Sequence, residues 1–494
     1  MVFSRHVLSR PIRICLALVS LASLSALRCA ADSGGGNAST PMPDLEEDTS
    51  NQLKALQPVV DAAEAATTNH DNQLAAEKWG QAVDLLQALL PKTKDGSYDR
   101  FVVSDTLGKI LWQGKNDPGS AADLFESVMQ MLDQHPNFLP PKDRLEHLKW
   151  VGQAYYQKAT GLKHDPAGVK AANEKALYFL REYLQQAKPP EANDEMLYSM
   201  IEYSMGTIDQ KNPDKALVAD AEKHTRYALT LATHPKADLY TLLVAELLAE
   251  NNYRDAADYI ELLVSLKPMQ RDLWDQLWSV YNQLAIAALN NDDEALQREY
   301  LAKAILAIER AQKMGYLNKP ADNYNLVTLY SAAGQTQTAT KIMDADLHNG
   351  TIVSNPMNWE YLSSFYLQID KPNEAINSLK DALDRFPDNS DLALELAQYY
   401  TQQLNTAMTF KYANLAIEKD HFSRMKAWQA EQMKAYAAYE LQKYDDALDA
   451  VNKALDEQPS EPNPSDVKGL HQFRGAIEAA IKQRDTLKKT NTVQ

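Results

Sequence analysis

Histidines, cysteines and carboxylates are the side chains that could give this chain catalytic or metal-binding chemistry. The ten histidines form no H-x-x-x-H or H-E-x-x-H pair, the spacing that presents two ligands to zinc on one helix face. No G-x-S-x-G, Walker A or G-x-G-x-x-G sequence supplies a nucleophile or a phosphate-binding loop. Acidic pairs such as Asp445 and Asp446 are typical of solvated helix faces and helix caps. We therefore predict no catalytic residue, no metal ligand and no cofactor, and hence no enzyme.

The first 31 residues have the anatomy of a secretory signal peptide. Three arginines precede a mostly apolar run at 14–27, which is shorter than the roughly 20 residues that a membrane span needs. Small residues follow, so the sequence favours cleavage after Ala31, and an earlier cut after Ala26 remains open. We expect an exported protein, and no later run is apolar enough to span a membrane.

Both cysteines, Cys15 and Cys29, lie within this segment, so a mature chain would contain no thiol. Lipid attachment at Cys29 remains an alternative, although Arg28 stands where a lipidation signal has a small residue. A periplasmic location is the main expectation, with secreted and lipid-anchored forms as the alternatives.

The chain is acidic, with a formal net charge of -17. This charge repels phosphate backbones, so the sequence argues against a nucleic-acid partner. A neutral or basic protein segment would suit it better.

Composition divides the chain into four parts: the signal segment 1–31, a flexible linker at 32–50, a helical region at 51–480 and a polar tail at 481–494. The linker and tail have too little apolar material to bury a core. The long middle region is rich in Ala, Leu, Glu, Gln and Lys, has aromatic residues at helical spacing, and is broken by short Pro, Asn, Asp and Gly clusters. We predict an all-α fold.

A leucine followed four residues later by a tyrosine recurs along this region, at Leu326, Leu362 and Leu396, in steps of 36 and 34 residues. The fullest copy spans 359–387 and has Trp359, a small residue after Leu362, Ala375 in the second helix and a closing proline. Further copies span 240–268 and 435–459. A period of about 34 residues with this pattern resembles the tetratricopeptide-repeat family.

The resemblance implies a right-handed α-solenoid of about nine to eleven antiparallel helix pairs over 51–480. The small residues would allow close helix crossings, and the aromatic residues would pack between repeats. Three departures stand out: 291–298 and 160–173 are expected to lengthen the connections within their hairpins, and Thr409 replaces a second-helix alanine.

In this family the first helix of each pair lines a concave face that binds peptides or partner helices. The resemblance therefore makes the protein a non-catalytic protein-binding scaffold. Its candidate partner-binding residues are the first-helix positions not used for packing: Thr241, Ala245, Tyr324, Thr328, Ser331, Glu360, Ser364, Gln398, Tyr436 and Tyr439. They are neutral or acidic, whereas the family's carboxylate-binding clamps use Lys, Arg and Asn.

A narrower resemblance is to bacterial periplasmic repeat proteins associated with TonB-type energy-transducing systems. It rests on the signal segment, an N-terminal copy containing Trp79, and a helix ended by Gly315-Tyr316-Leu317 before the repeat at 324–350. It implies a partner in such a system. One alternative is an envelope-assembly scaffold, lipid-anchored at Cys29. The other is a solute- or glycan-binding protein using Trp274, Trp278 and Tyr281 as a stacking platform, although core packing explains their spacing better.

Overall fold

The computed structural model describes residues 42–162, 164–209, 211–457 and 464–491. The predicted signal segment, Cys29 and most of the predicted linker lie outside these ranges. The described residues form helices and contain no strand. In chain order the helices are α1 Glu47–Thr68, α2 Asn72–Leu89, α3 Tyr98–Lys109, α4 Pro118–Gln134, α5 Pro141–Gly161, α6 Pro166–Gln186, α7 Ala192–Gly206, α8 Lys215–Leu231, α9 Ala237–Ala249, α10 Tyr253–Leu266, α11 Arg271–Asn290, α12 Glu294–Lys313, α13 Pro320–Ala332, α14 Thr336–Asn349, α15 Pro356–Gln368, α16 Pro372–Arg385, α17 Ser390–Gln402, α18 Thr406–Lys419, α19 Ala427–Glu440, α20 Tyr444–Asp456 and α21 Pro464–Asn491.

The chain divides into two compact units, Met1–Met269 and Gln270–Gln494. The first contains the five helix pairs from α1/α2 to α9/α10, and the second contains the five from α11/α12 to α19/α20, followed by α21. Within each unit, each helix packs mainly against its neighbours in the sequence. The fold is therefore all-α and of the tetratricopeptide-like solenoid type. The ten pairs in the described ranges agree with the predicted nine to eleven.

Most turns within the pairs share one backbone feature. In eight pairs the residue two positions before the second helix has a positive φ, and a short turn of this kind makes the two helices antiparallel. These residues are His70, Asn116, Asn251, Asp292, Gly334, Asp370, Leu404 and Gln442. Most second helices then begin at a capping Asp or Asn whose side chain accepts a backbone N–H, namely Asp71, Asp117, Asp165, Asp214, Asn252, Asp293 and Asn405.

Packing between consecutive pairs builds the core. In the first unit one cluster of buried side chains runs from Leu53 of α1 to Ile201 of α7. In the second unit another runs from Val327 of α13 to Ala430 of α19. An isolated pair would leave this apolar surface in water, so each pair depends on its neighbours for stability.

The small residues lie at the helix crossings, as predicted. Ser363, Ala397 and Ala435 of the first helices are fully buried, and so are Ala375 and Ala447 of the second helices. Trp359, predicted to pack between repeats, is also fully buried. Thr409 is accommodated at its alanine-like position because its hydroxyl donates to the Asn405 carbonyl oxygen of its own helix, at 3.2 Å.

The predicted long connections at 291–298 and 160–173 are wrong. Most of the first segment belongs to α12, which begins at Glu294 after the capping residue Asp293. In the second, α5 continues to Gly161 and α6 begins at Pro166. The additional residues lengthen the helices of these pairs, because both segments consist largely of helix-forming residues that follow a cap.

The ends of the helical region also extend beyond the predicted boundaries. Helix α1 begins at Glu47, inside the expected linker, and α21 continues to Asn491 through the expected tail. At the N-terminal end, Leu45 packs against the core and the Glu46 N–H donates to Asp99 Oδ1 at 3.0 Å. A contact with a residue so distant in sequence is invisible to composition.

We expect Gly152→Ala to destabilise the first unit, because a Cβ there would lie 2.5 Å from Leu180 Cγ and 3.2 Å from the Ala176 carbonyl oxygen. Overpacking of this kind costs about 1–3 kcal/mol. Urea unfolding followed by circular dichroism should show a lower midpoint. Gly80→Ala is the matched control, because its Cβ would meet nothing closer than the flexible Lys115 Nζ at 3.7 Å. Equal midpoints for the two variants would contradict the close crossing.

Candidate functional site

A groove of about 570 Å³ opens between the first helices α17 and α19. These two helices contact each other directly, although a complete helix lies between them in the sequence, and α7 and α9 do the same in the first unit. Consecutive first helices therefore share a face in each of these places. The groove is lined by Gln398, Thr401, Leu404, Thr406, Thr409, Trp428, Gln429, Gln432, Met433, Tyr436, Ala437 and Glu440.

Small and medium side chains leave room for the groove, and larger ones border it. Thr401, Thr409 and Ala437 fill little space on the three helices that meet here. On α19, Trp428 and Tyr436 bring aromatic rings to the groove, and the Tyr436 side chain is 43% exposed. Its ring rests on Phe473 of α21, with the centroids 4.2 Å apart, so this ring is held in place.

Two carboxamides in the groove have no internal hydrogen-bond partner. Among the described residues, nothing pairs with the Gln398 or Gln432 side chains, and the indole N–H of Trp428 is also unpaired. Gln429 differs, since its Oε1 accepts the Lys426 N–H that begins α19, at 2.9 Å. A carboxamide both donates and accepts, and can therefore pair with a peptide unit of a bound chain.

The charge near the groove is negative. Glu440 is the charged residue among those that line it, and Glu395 lies one helical turn before Gln398. Burial, with a further contribution from the nearby Glu360, raises the pKa of Glu395 to about 7. Arg424 forms an ion pair with Glu360 and places one positive charge beside these acids. A strongly acidic ligand would meet no free cation among the lining residues.

The loop before α19 is held by one carboxylate. Asp391 Oδ2 accepts the N–H groups of Ser423 and Arg424 at 3.1 and 3.0 Å and the Ser423 hydroxyl at 2.5 Å, and Oδ1 accepts the Met425 N–H at 3.1 Å. Burial opposes ionisation, but these hydrogen bonds outweigh it and lower the pKa of Asp391. The carboxylate thereby fixes the start of α19, which carries Trp428.

The structure brings together two of the predicted site residues, Gln398 and Tyr436, in the groove. Tyr439 lies outside the groove and packs against Tyr444 and Phe473. Glu360 is 9% exposed and forms an ion pair with Arg424. The remaining predicted residues are half-buried on first helices: Thr241 and Ala245 on α9 of the first unit, and Tyr324, Thr328, Ser331 and Ser364 on α13 and α15 of the second. The hydroxyls of Thr241 and Thr328 donate to carbonyl oxygens of their own helices.

Trp428, Gln432 and Met433 also line the groove but are not among the predicted site residues. Gln429, Gln432 and Tyr436 are spaced i, i+3 and i+7, which places them on one helix face. This spacing could not be used from sequence alone, because the repeat copy recognised there begins at 435, whereas α19 begins at Ala427.

The aromatic residues Trp274, Trp278 and Tyr281 on α11 belong mainly to the hydrophobic core. Trp274 is 1% exposed and Tyr281 is 6% exposed, and only Trp278 is half-buried. Two of the three rings are therefore closed to a sugar or solute, which disfavours the stacking-platform alternative. Within the described ranges, no group of three or more His, Cys, Asp or Glu side chains could hold a metal ion. None of the helices described is long and apolar enough to cross a membrane.

No family model matches the sequence, and no curated protein is significantly similar to it. Similar solved structures include the TPR2AB-domain:pHSP90 complex of yeast Sti1, at 16% identity over 57% of this chain and 98% of that one, with a TM-score of 0.22. Pseudomonas aeruginosa PilF is similar at 14% identity over 49% and 96%, with a TM-score of 0.27. Likenesses this weak add nothing to the fold argument, which rests on the chain's own helix pairs.

We expect Asp391→Asn to loosen the loop before α19, because an amide oxygen replaces a carboxylate that accepts four hydrogen bonds. A hydrogen bond to a charged group contributes about 1.5–3 kcal/mol. The amide oxygen of the variant still accepts some of these bonds, so we expect the free energy of unfolding to fall by about 1–3 kcal/mol. Asp388→Asn is the control, because its 70% exposed side chain forms only a surface ion pair with Lys419. Thermal unfolding measures both, and similar small effects would contradict a role for Asp391 as the anchor.

Proposed function

We propose that this protein is a non-catalytic scaffold whose groove between α17 and α19 binds an extended segment of a partner protein. The observation that carries the proposal is the pair of unpartnered carboxamides, Gln398 and Gln432, on helices that contact each other. An extended chain exposes N–H and C=O groups along its length, which such carboxamides can match. The aromatic rings of Trp428 and Tyr436 supply apolar contact for a side chain of the segment.

Charge favours a neutral or basic partner segment. Glu440 lies in the groove, Glu395 lies on α17, and Glu360 lies on the preceding first helix, α15. The whole chain has a net charge of -17, which favours encounter with a basic partner. An acidic segment would leave its carboxylates opposite these acids without a free cation.

We further propose that the protein acts in the periplasm of the bacterial cell envelope after export, as an accessory of a TonB-type energy-transducing system. This part rests on the signal-like N-terminal segment and on the resemblance described above. The Gly315-Tyr316-Leu317 break of that resemblance is a structured turn: Gly315 and Leu317 have positive φ, and Leu317 is buried. An envelope-assembly scaffold is the rival proposal.

Selection of a random-peptide display library on the purified protein tests the groove. We expect the selected peptides to be neutral or basic. The double variant Gln398→Ala/Gln432→Ala should bind them about tenfold or more weakly, since each lost hydrogen bond contributes about 1 kcal/mol. Gln130→Ala/Gln337→Ala is the control, with both glutamines exposed on the second helices α4 and α14. Equal affinity of the two double variants, measured by fluorescence anisotropy, would place binding elsewhere.

Photo-crosslinking in the native host tests the envelope proposal. A photoreactive amino acid at position 432 should form adducts with a component of a TonB-type system, identified by mass spectrometry. The same amino acid at position 337, on the second helix α14, should not. Adducts confined to outer-membrane assembly machinery would support the rival scaffold and overturn the TonB proposal.

A further inference from the structure

A wholly buried carboxyl joins three helices of the first unit. Glu246 of α9 has 0% exposure and meets Ser199 of α7 and Thr225 of α8. Its Oε1 lies 2.5 Å from Ser199 Oγ and 2.8 Å from Thr225 Oγ1, and these two hydroxyl oxygens are 2.6 Å apart. Ser199 and Thr225 are themselves fully buried. The three side chains thus form a closed triangle of oxygen atoms.

The three oxygen–oxygen distances indicate that Glu246 is protonated. Every edge is within hydrogen-bonding distance, so each needs one hydrogen between its two oxygens. The two hydroxyls bring two hydrogens. The third is present only if Glu246 carries a proton, because a carboxylate only accepts hydrogen bonds. An ionised Glu246 would leave one oxygen pair in close contact without a hydrogen.

The other carboxyl oxygen supports the same conclusion. Glu246 Oε2 is enclosed and has no hydrogen-bond partner. A charge on this carboxyl would have neither water nor a cation to stabilise it, which is costly in a buried site. A neutral acid tolerates the site much better.

Among the described residues, no cation forms an ion pair with Glu246. Arg226 of α8 is committed to Glu222 and Asp255. The acids Glu222 and Glu250 act on Glu246 as like charges. The titratable and charged groups of the elements packed around it include Glu195, Tyr198, Glu202 and Tyr203 on α7, Asp220, Glu222, His224 and Arg226 on α8, Glu250 after α9, and Asp255 and Tyr259 on α10.

We propose that Glu246 is a protonated acid at neutral pH and that its ionisation loosens the packing of α9 against α7 and α8, which makes this joint between two helix pairs responsive to pH. The joint lies in the first unit, so the proposal is independent of the groove in the second unit.

The direction of the pH dependence follows from the folded and unfolded states. Burial raises the pKa of Glu246 to about 8, whereas an exposed glutamic acid titrates near its ordinary value of 4.5. The folded joint therefore binds the proton more tightly, and its stability is greatest below pH 4.5 and is lost as the pH rises towards 8.

Two neighbours act in the same direction. Burial raises the pKa of Glu202 on α7 to about 7, and its Oε2 also lacks a partner. Burial alone would lower the pKa of His224, but the Glu195 carboxylate, 2.6 Å from its Nδ1, raises it. Each group holds its proton more tightly in the folded state, so rising pH weakens the α7–α8 contact as well.

Hydrogen exchange of the full chain, followed by mass spectrometry from pH 5.5 to 7.5 and corrected for intrinsic exchange, tests the joint. In the wild type we expect the opening constant of α9 amides to rise by about tenfold per pH unit more than in Glu246→Gln, because the variant cannot release this proton. Glu174→Gln, whose side chain on α6 is 55% exposed, should retain the wild-type slope. The same slope in wild type and Glu246→Gln would overturn the proposal.

Infrared difference spectroscopy tests protonation directly and does not depend on the stability of the variant. The wild type at pH 7 should show a protonated-carboxyl band that weakens in Glu246→Gln. If α9 does not fold in that variant, Glu202→Gln/Glu395→Gln decides, because burial raises the pKa of each of these two glutamates to about 7 and they would contribute to the same band. A band that persists at pH 7 in this double variant and is lost by pH 9 supports the proposal. No such band at pH 7 would overturn it.

Discussion

Within each unit, the fold depends on the apolar surface that each helix pair shares with the next. Small residues such as Gly152, Ser363 and Ala397 allow the helices within a pair to approach closely, and the larger buried residues fill the space between pairs. Because no pair can shelter this surface alone, stability belongs to the contact between neighbours more than to any single helix. On α17 and α19 this packing leaves Gln398, Gln432 and Tyr436 lining a groove.

The helix pairs can be predicted from the sequence because the pattern that defines each helix lies within a few consecutive residues. The spacing of Leu326, Leu362 and Leu396 predicts the helix pairs and their period, since each motif lies within one turn of the helix it defines. The same local rules fail where a distant contact decides the outcome. The start of α1 depends on Asp99, 53 residues away from Glu46. The start of α12, by contrast, is set locally by the Asp293 cap, within the segment predicted to be a connection.

The candidate site shows the same division. Gln398 and Tyr436 could be chosen from repeat position alone, whereas Trp428 and Gln432 could not be placed before the start of α19 was known. That start is fixed by Asp391 across 32 to 34 residues, a clamp that no local pattern reveals. The buried Glu246 is likewise an ordinary helical glutamate in sequence, and becomes unusual only when α7 and α8 enclose it. Position in a repeat thus identifies which face is available, while tertiary contacts determine its chemistry.

The most direct measure of the central claim is the spread of a local defect along the chain. Native-state hydrogen exchange of Gly152→Ala should show faster opening in α5 and α6 and, more weakly, in their neighbours α4 and α7, with the helices of the second unit unchanged. That gradient is what coupling between adjacent pairs predicts. A change confined to α5, or one of equal size in every helix of both units, would contradict the account.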